Sequence, residues 1–423
     1  QSNLSGNLNI PDTLRLVGIM VQFPLENPDN PKTSGDGHFL SLNYEEYNSF
    51  YDSTTPRCEG FLVDRPPHDS LYFQRQLEAV GNYYIEVSDS NLFYTADMVL
   101  NSNLSENGYY TVSDTMEYYA KSDQRLAEFF TESIELAKSD IESYFEGKLF
   151  SPENVVFVVF HAGLSQDFSY PTLDPTIYDL KSAYLDSCMY FINKCTEKVV
   201  IPAKILNEDI YNGILLPETQ NIIYYDVVED IFGNPDYGID DLCDIQIGLT
   251  GIFAFLLGYE LGLPEMFDPT TGDPGVGYFG LMDHGSNNGR GVIPVPPSPW
   301  TRSLPNPSWS TVTTLYPPQS FDATITAIDI ENSLIRIDLN EYEYFLIENR
   351  NNWIENGVEI DSLRRKYKRF DESSGDSLLG HWFDAITNEN EKFRTDSLIE
   401  IDPQTQVITN FDHYDYGLPG SGI

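Results

Sequence analysis

Basic residues are scarce in this chain: 24 Lys and Arg stand against 66 Asp and Glu, a formal net charge of −42 over 423 residues. Such a surface repels nucleic-acid phosphates and anionic membranes and argues against both as partners. Histidine is rare as well, with His38, His68, His161, His284, His381 and His413 never paired at metal-ligand spacing. The four cysteines, Cys58, Cys188, Cys195 and Cys243, match no zinc-knuckle pattern and are too few for a disulfide scaffold. Cys188 and Cys195 would stand roughly 10 Å apart on one helix, beyond a direct bridge unless the helix breaks between them. No apolar run reaches the ~18 residues that span a bilayer. The longest, residues 247–259, lies between Asp244 and Glu260 and reads as a buried helix. Nucleophile-elbow, Walker A and dinucleotide fingerprints are also missing, which leaves the usual hydrolase, nucleotide and dehydrogenase chemistries without a carrier. The start at Gln1 carries no basic and apolar leader, so a signal peptide is expected to have been removed or never present. The final GLPGSGI reads as an interrupted β-hairpin, with the expectation that the natural chain continues.

What is present is ample core: 41% hydrophobic residues, with 28 Tyr and 25 Phe, enough for two or three packed domains. Residues 14–23 (LRLVGIMVQF) and 155–163 (VVFVVFHAG) read as continuous apolar strands. A helix starts near Ser70 with Phe73, Leu77, Val80 and Tyr84 on one face, and a long helical pattern covers residues 114–145. Asp240 and Asp241 are candidate N-caps for a helix running to Gly262, where Gly and Pro264 stop it. From about Thr311 the segments ATITAIDI, SLIRIDL and EYFLIENR read as strands, and RRKYKRFDESSGDS as an exposed basic insertion. The expected fold class is α+β, with a first domain over residues 1–310 and a β-rich domain, cut short at its end, over 311–423.

Together, LGLPEMFD, GYFGLMDHGSNNGRGVIPVPPSPW, EYFLIENR and GLPGSG resemble the immune inhibitor A family of secreted bacterial metalloproteases. The resemblance runs over most of the chain. It implies a zincin-like domain, a mixed sheet plus a long active-site-type helix, whose active members carry H-E-x-x-H-x-x-G-x-x-[HD] followed by a Met-containing turn. Two His at i and i+4 reach one Zn²⁺ from one helix face, and the Glu between them holds a water as general base. Laid on this sequence, the His positions fall on Phe255 and Tyr259, the Glu on Leu256, the Gly on Gly262 and the third ligand on Glu265, while Met282 matches the Met-turn. Neither Phe nor Leu coordinates zinc, so the expectation is a catalytically inactive homologue with no catalytic residue and no resident zinc. Phe255 and Tyr259 would fill the metal cavity with aromatic rings instead.

Residual metal candidates are Glu265 and His284, the latter two residues past Met282; with a neighbouring carboxylate they would make a rewired metallopeptidase. Glu260 adjoins the lost ligand position but is rotated by about 100° along the helix, away from the Phe255 and Tyr259 side. Calcium suits the acidic surface better, with Asp268, Asp273 and Asp283 in a Gly-rich segment as candidate ligands; solvated acidic loops and salt tolerance are the alternative reading. The residues and the resemblance lead to a secreted or cell-surface protein used for binding, structure or self-association through a protein partner. A calcium-dependent glycan-binding, adhesin-like protein is the alternative.

Overall fold

A computed structural model describes residues 8–27, 32–41, 64, 66–104, 108–168, 176–220, 247–289, 291–316, 324–326, 332–351, 353–354, 358–359, 399–405, 407–411 and 414–418. The elements of the first part are β1 (Thr13–Gln22), α1 (Ser70–Val87), β2 (Phe93–Met98), β3 (Tyr110–Thr111), α2 (Met116–Tyr119), α3 (Asp123–Tyr144), β4 (Val155–His161) and β5 (Ala183–Leu185). Two small hairpins follow, β6 (Phe191–Ile192) with β7 (Glu197–Lys198) and β8 (Ala203–Ile205) with β9 (Glu208–Ile210). Then come β10 (Gly213–Pro217), α4 (Thr250–Glu260) and α5 (Pro299–Arg302).

One mixed sheet organises these elements, in the order β2-β1-β4-β10-β5, with β3 also pairing with β1. Every pairing is parallel except that of the edge strand β5, which runs antiparallel to β10. The sheet is covered on both faces, which is why β1, β4 and β10 are continuously apolar rather than alternating. Side chains alternate all the same. Leu16, Met20, Val158 and Phe160 join the core under α1 and α4. Val17, Ile19, Phe157 and Val159 join the core under α3.

Helix α1 starts where Asp69 accepts the amides of Leu71 and Tyr72 at 3.0 and 3.1 Å. Its expected face of Phe73, Leu77, Val80 and Tyr84 is fully buried. The long helix expected over residues 114–145 is instead two, α2 and α3, because the Ser122 side chain takes the Arg125 amide at 3.2 Å and caps a new helix there. The helix expected to start at Asp240 or Asp241 begins only at Thr250. Its N-cap is Leu249, which has no side-chain cap of its own, and both aspartates lie outside the described residues. The cysteine expectation also needs correcting. Cys188 and Cys195 form a disulfide across Cα atoms 5.0 Å apart, because the chain leaves a 3-10 turn, enters the β6–β7 hairpin and reverses through positive-φ residues Asn193 and Lys194. Cys58 and Cys243 lie outside the described residues.

The C-terminal part forms β11 (Thr311–Leu315), β12 (Ser333–Asp338) and β13 (Tyr344–Ile347) as one small sheet. Two short pairs complete it, β14 (Trp353–Ile354) with β15 (Val358–Glu359) and β16 (Ile399–Ile401) with β17 (Ile408–Phe411). The basic stretch over residues 364–377 and the last five residues lie outside the described ones. Val407, Ile408, Phe411 and Tyr414 belong to the same buried cluster as Leu77, Val80 and Trp309, so the core is continuous past residue 311. Polar contacts follow it: Arg75 Nε donates to Asp402 at 3.0 Å, and Asn82 Nδ2 to the Thr409 carbonyl at 2.9 Å. No helix among the described residues is long and apolar enough to cross a membrane.

A buried charge network ties the two parts together. Arg302, fully buried, donates to Glu348 at 2.6 Å, to the Pro297 carbonyl at 2.6 Å and to Ser310 at 3.2 Å. Arg350 donates to the other Glu348 oxygen at 3.1 Å and to Asp415 at 2.8 Å, and Asp415 also accepts the Asn351 amide at 3.0 Å. Removing one member leaves its partner charged and desolvated, so Arg350→Ala and Asp415→Ala should each cost about 3–5 kcal/mol. The double variant should fall well short of their sum. Urea denaturation of the two single variants and the double variant measures both.

Candidate functional site

The site is built on α4, TGIFAFLLGYE, a helix apolar on nearly all sides and therefore seated in the core. Its first amides are satisfied from outside: Leu249 donates to Asp64 Oδ2 at 2.9 Å and Gly251 to the Gly291 carbonyl at 2.6 Å. The 291 loop comes so close that a Cβ on Gly251 would stand 2.1 Å from the Ser286 carbonyl oxygen. The helix ends in a Schellman turn. Gly262 at φ 77° donates to the Tyr259 carbonyl and Leu263 to that of Gly258, both at 2.9 Å. The bend expected at Gly262 is present. Met282 lies beneath the helix, its sulfur 2.5 Å from where a Cβ on Gly258 would be, and its carbonyl accepts the Met266 amide at 2.8 Å. The turn carrying Glu265 and the turn carrying Met282 are thus stitched together.

On α4 the side chains at positions 255 and 259 meet as aromatic rings. Phe255 and Tyr259 pack edge to face at 5.0 Å. Tyr259 lies nearly parallel to Tyr184 of the edge strand β5, at 6.2 Å and 10°. Phe267 closes on Phe255 at 6.2 Å. Each such pair adds roughly 0.5–1.5 kcal/mol beyond area burial. Leu256 points elsewhere, buried in the main core. Burial, helped by the charge of Glu265, pushes the Tyr259 phenol up to about 12.

The other candidates are dispersed. Glu265 is exposed. His284 packs its ring on Tyr278 at 5.8 Å, with Nε2 3.8 Å from Asp283. Asp283 is sealed from solvent and its oxygens take four backbone amides, those of Gly275, Val276, Gly277 and His284, all at 2.8 Å. Its carboxylate folds the loop. Asp268 and Asp273 share one exposed turn, where the Asp268 amide donates to the Asp273 carbonyl at 2.9 Å and Thr271 Oγ1 to the Asp273 carboxylate at 2.8 Å. Among the described residues no three His, Cys, Asp or Glu side chains are grouped to hold a metal ion.

Sequence reasoning missed two features. At the carboxyl ends of β4 and β10, Glu218 is fully buried, accepts the amides of Leu40 and Gly163, and faces His68 Nδ1 at 3.6 Å. Burial raises its pKa against the pull of His68. Asp64, raised to about 6 by burial, takes Gln76 at 2.8 Å as well as Leu249. No spacing rule joins residues 64, 68 and 218; only the fold brings them together. The second is Glu260, pushed up to about 7 by burial although Tyr184 hydrogen-bonds to it. Its Oε2 is shielded from water and meets no donor among the described residues.

A scan against protein-family models finds no match to this chain, and a search of curated proteins finds none either.

Glu260 binds its proton more tightly folded than unfolded, so its own contribution to folding stability is full below pH 4.5 and is lost as pH rises through about 7. Glu260→Gln should therefore match the parent near pH 4 and exceed it by about 2–3 kcal/mol at pH 8. Denaturation curves across that range test it; a difference independent of pH would contradict it.

Proposed function

We propose that this chain is a catalytically inactive, zincin-like homologue of secreted zinc proteases, retained as an extracellular or cell-surface protein for binding, structure or self-association. The observation that carries the reading is the aromatic cluster of Phe255, Tyr259, Tyr184 and Phe267 standing where the ligand positions of the motif fall. The frame around it supports the same reading. A mixed sheet with one antiparallel edge strand is followed by a core helix, a glycine bend and a methionine-bearing turn under that helix.

Chemistry argues against a hidden peptidase at this position. Zinc hydrolysis needs anionic or imidazole ligands, an open coordination position and a base that holds water. Here two of the three ligand positions are a phenyl ring and a protonated phenol, the third is the exposed Glu265, and the base position is a core leucine. A surface of net charge −42 keeps such a protein dispersed and favours cationic partners over anionic ones.

Elemental mass spectrometry of the purified protein, run beside casein cleavage with and without chelator, tests the reading. Less than a tenth of an equivalent of zinc, and no cleavage with or without calcium, is the expected result. Stoichiometric zinc with chelator-sensitive cleavage would overturn it and point to Glu265 and His284. A second variant probes the frame itself. Phe255→His combined with Tyr259→His places two imidazoles at i and i+4, and should bind zinc that the parent does not.

A further inference from the structure

Beside the aromatic cluster, at the amino ends of β1, β4 and β10, lies a pocket of about 380 Å³. Ile10, Leu14, Val155, Phe157 and Leu261 form the apolar part of its wall, and polar groups, among them Asn9, Tyr211 and Asn212, line about as much of it. Glu260 contributes to its lining, and the exposed carboxylates Glu153 and Asp209 stand on it as well. Lys204 already pairs with Asp209 at 2.6 Å, which offsets that charge. Glu260 has no such cation. Its Oε2 is without a donor among the described residues. An ammonium arriving in the pocket would meet in Glu260 a half-buried carboxylate that no cation among the described residues offsets. The carboxylate torsion is broad and roughly two-fold, so either oxygen can turn toward the cavity at small cost.

We propose that this pocket binds a primary ammonium carried on an apolar stem, as in a lysine side chain of a peptide partner, with Glu260 as its counter-ion and the aliphatic wall receiving the stem. The site is separate from the aromatic cluster and does not depend on whether the chain cleaves peptides. The shape argues for an organic cation over a bare metal ion. The three carboxylates on the pocket are not grouped to hold a metal ion, and Asp209 is already paired with Lys204, whereas an ammonium needs one strong acceptor and contact along its methylenes. The strongly acidic exterior would raise the local concentration of such cations.

The test uses the full chain and two probes, N-acetyl-lysine methylamide and its uncharged analogue N-acetyl-norleucine methylamide. Calorimetric titration gives affinity, and methyl NMR locates binding at Ile10, Leu14, Val155 and Leu261. The expected result is saturable binding of the lysine probe with shifts confined to those methyls, and at least ten-fold weaker binding of the norleucine probe. Glu260→Gln should cost a further ten-fold or more with the lysine probe, while its circular dichroism spectrum stays that of the parent. If that variant does not fold, Glu260→Asp, which withdraws the carboxylate by one methylene, should weaken binding in the same direction. Equal binding of the two probes, no saturable binding, or binding insensitive to both Glu260 variants would overturn the proposal. So would loss of binding through Glu153→Gln alone, since that would mark simple attraction to the acidic surface.

Discussion

The Arg302–Glu348–Arg350–Asp415 chain is the constraint on which the architecture depends. Each of its charges is desolvated, and each is tolerable because the next stands at hydrogen-bond distance. Its members come from α5, from the segment just after β13 and from the turn at Tyr414–Gly417. None of these segments can move without stranding a buried charge. Glu348 and Arg350 both belong to EYFLIENR, so one short segment supplies the two central charges and the flanking Arg302 and Asp415 clamp it from either side.

The glycine bend, the Met282 contact and the helix seat are matters of backbone geometry and close packing. They impose no charge on the residues at positions 255, 256 and 259. A metal site in the same place would need polar ligands held in a partly hydrated cavity. Aromatic rings satisfy the opposite condition by excluding water and packing on Tyr184 and Phe267. The outcome is a helix supported from below and closed above.

Much of this fold was legible in the sequence, because continuous apolar runs and helical periodicity report burial directly. Strands β1 and β4 and the buried face of α1 follow from that signal. The start of α4 was not legible, since its amides are satisfied by Asp64 and Gly291 rather than by a local capping residue. The break at Ser122 was hidden inside a pattern that keeps helical periodicity on either side. The Cys188–Cys195 pair was misjudged by treating the spacing as helical, when positive-φ residues turn the chain back. At the candidate site, the i, i+4 spacing of Phe255 and Tyr259 was legible. Their partners Tyr184 and Phe267, the buried carboxylates Asp64 and Glu218 and the surroundings of the half-buried Glu260 were not, because the contacts that define them join distant segments.

The packing of β16 and β17 on α1 has a consequence for how the molecule comes into being. Arg75 and Asp402, like Asn82 and Thr409, are separated by 327 positions along the chain. While the protein is being synthesised, one flank of α1, including Tyr83 and the edge later met by Tyr414, has nothing to lie against. Contacts this remote in sequence form slowly and leave apolar surface exposed in the meantime. The cover for this helix is made 327 positions after it, so a translation product interrupted between the two would carry an open, sticky flank rather than a smaller finished domain.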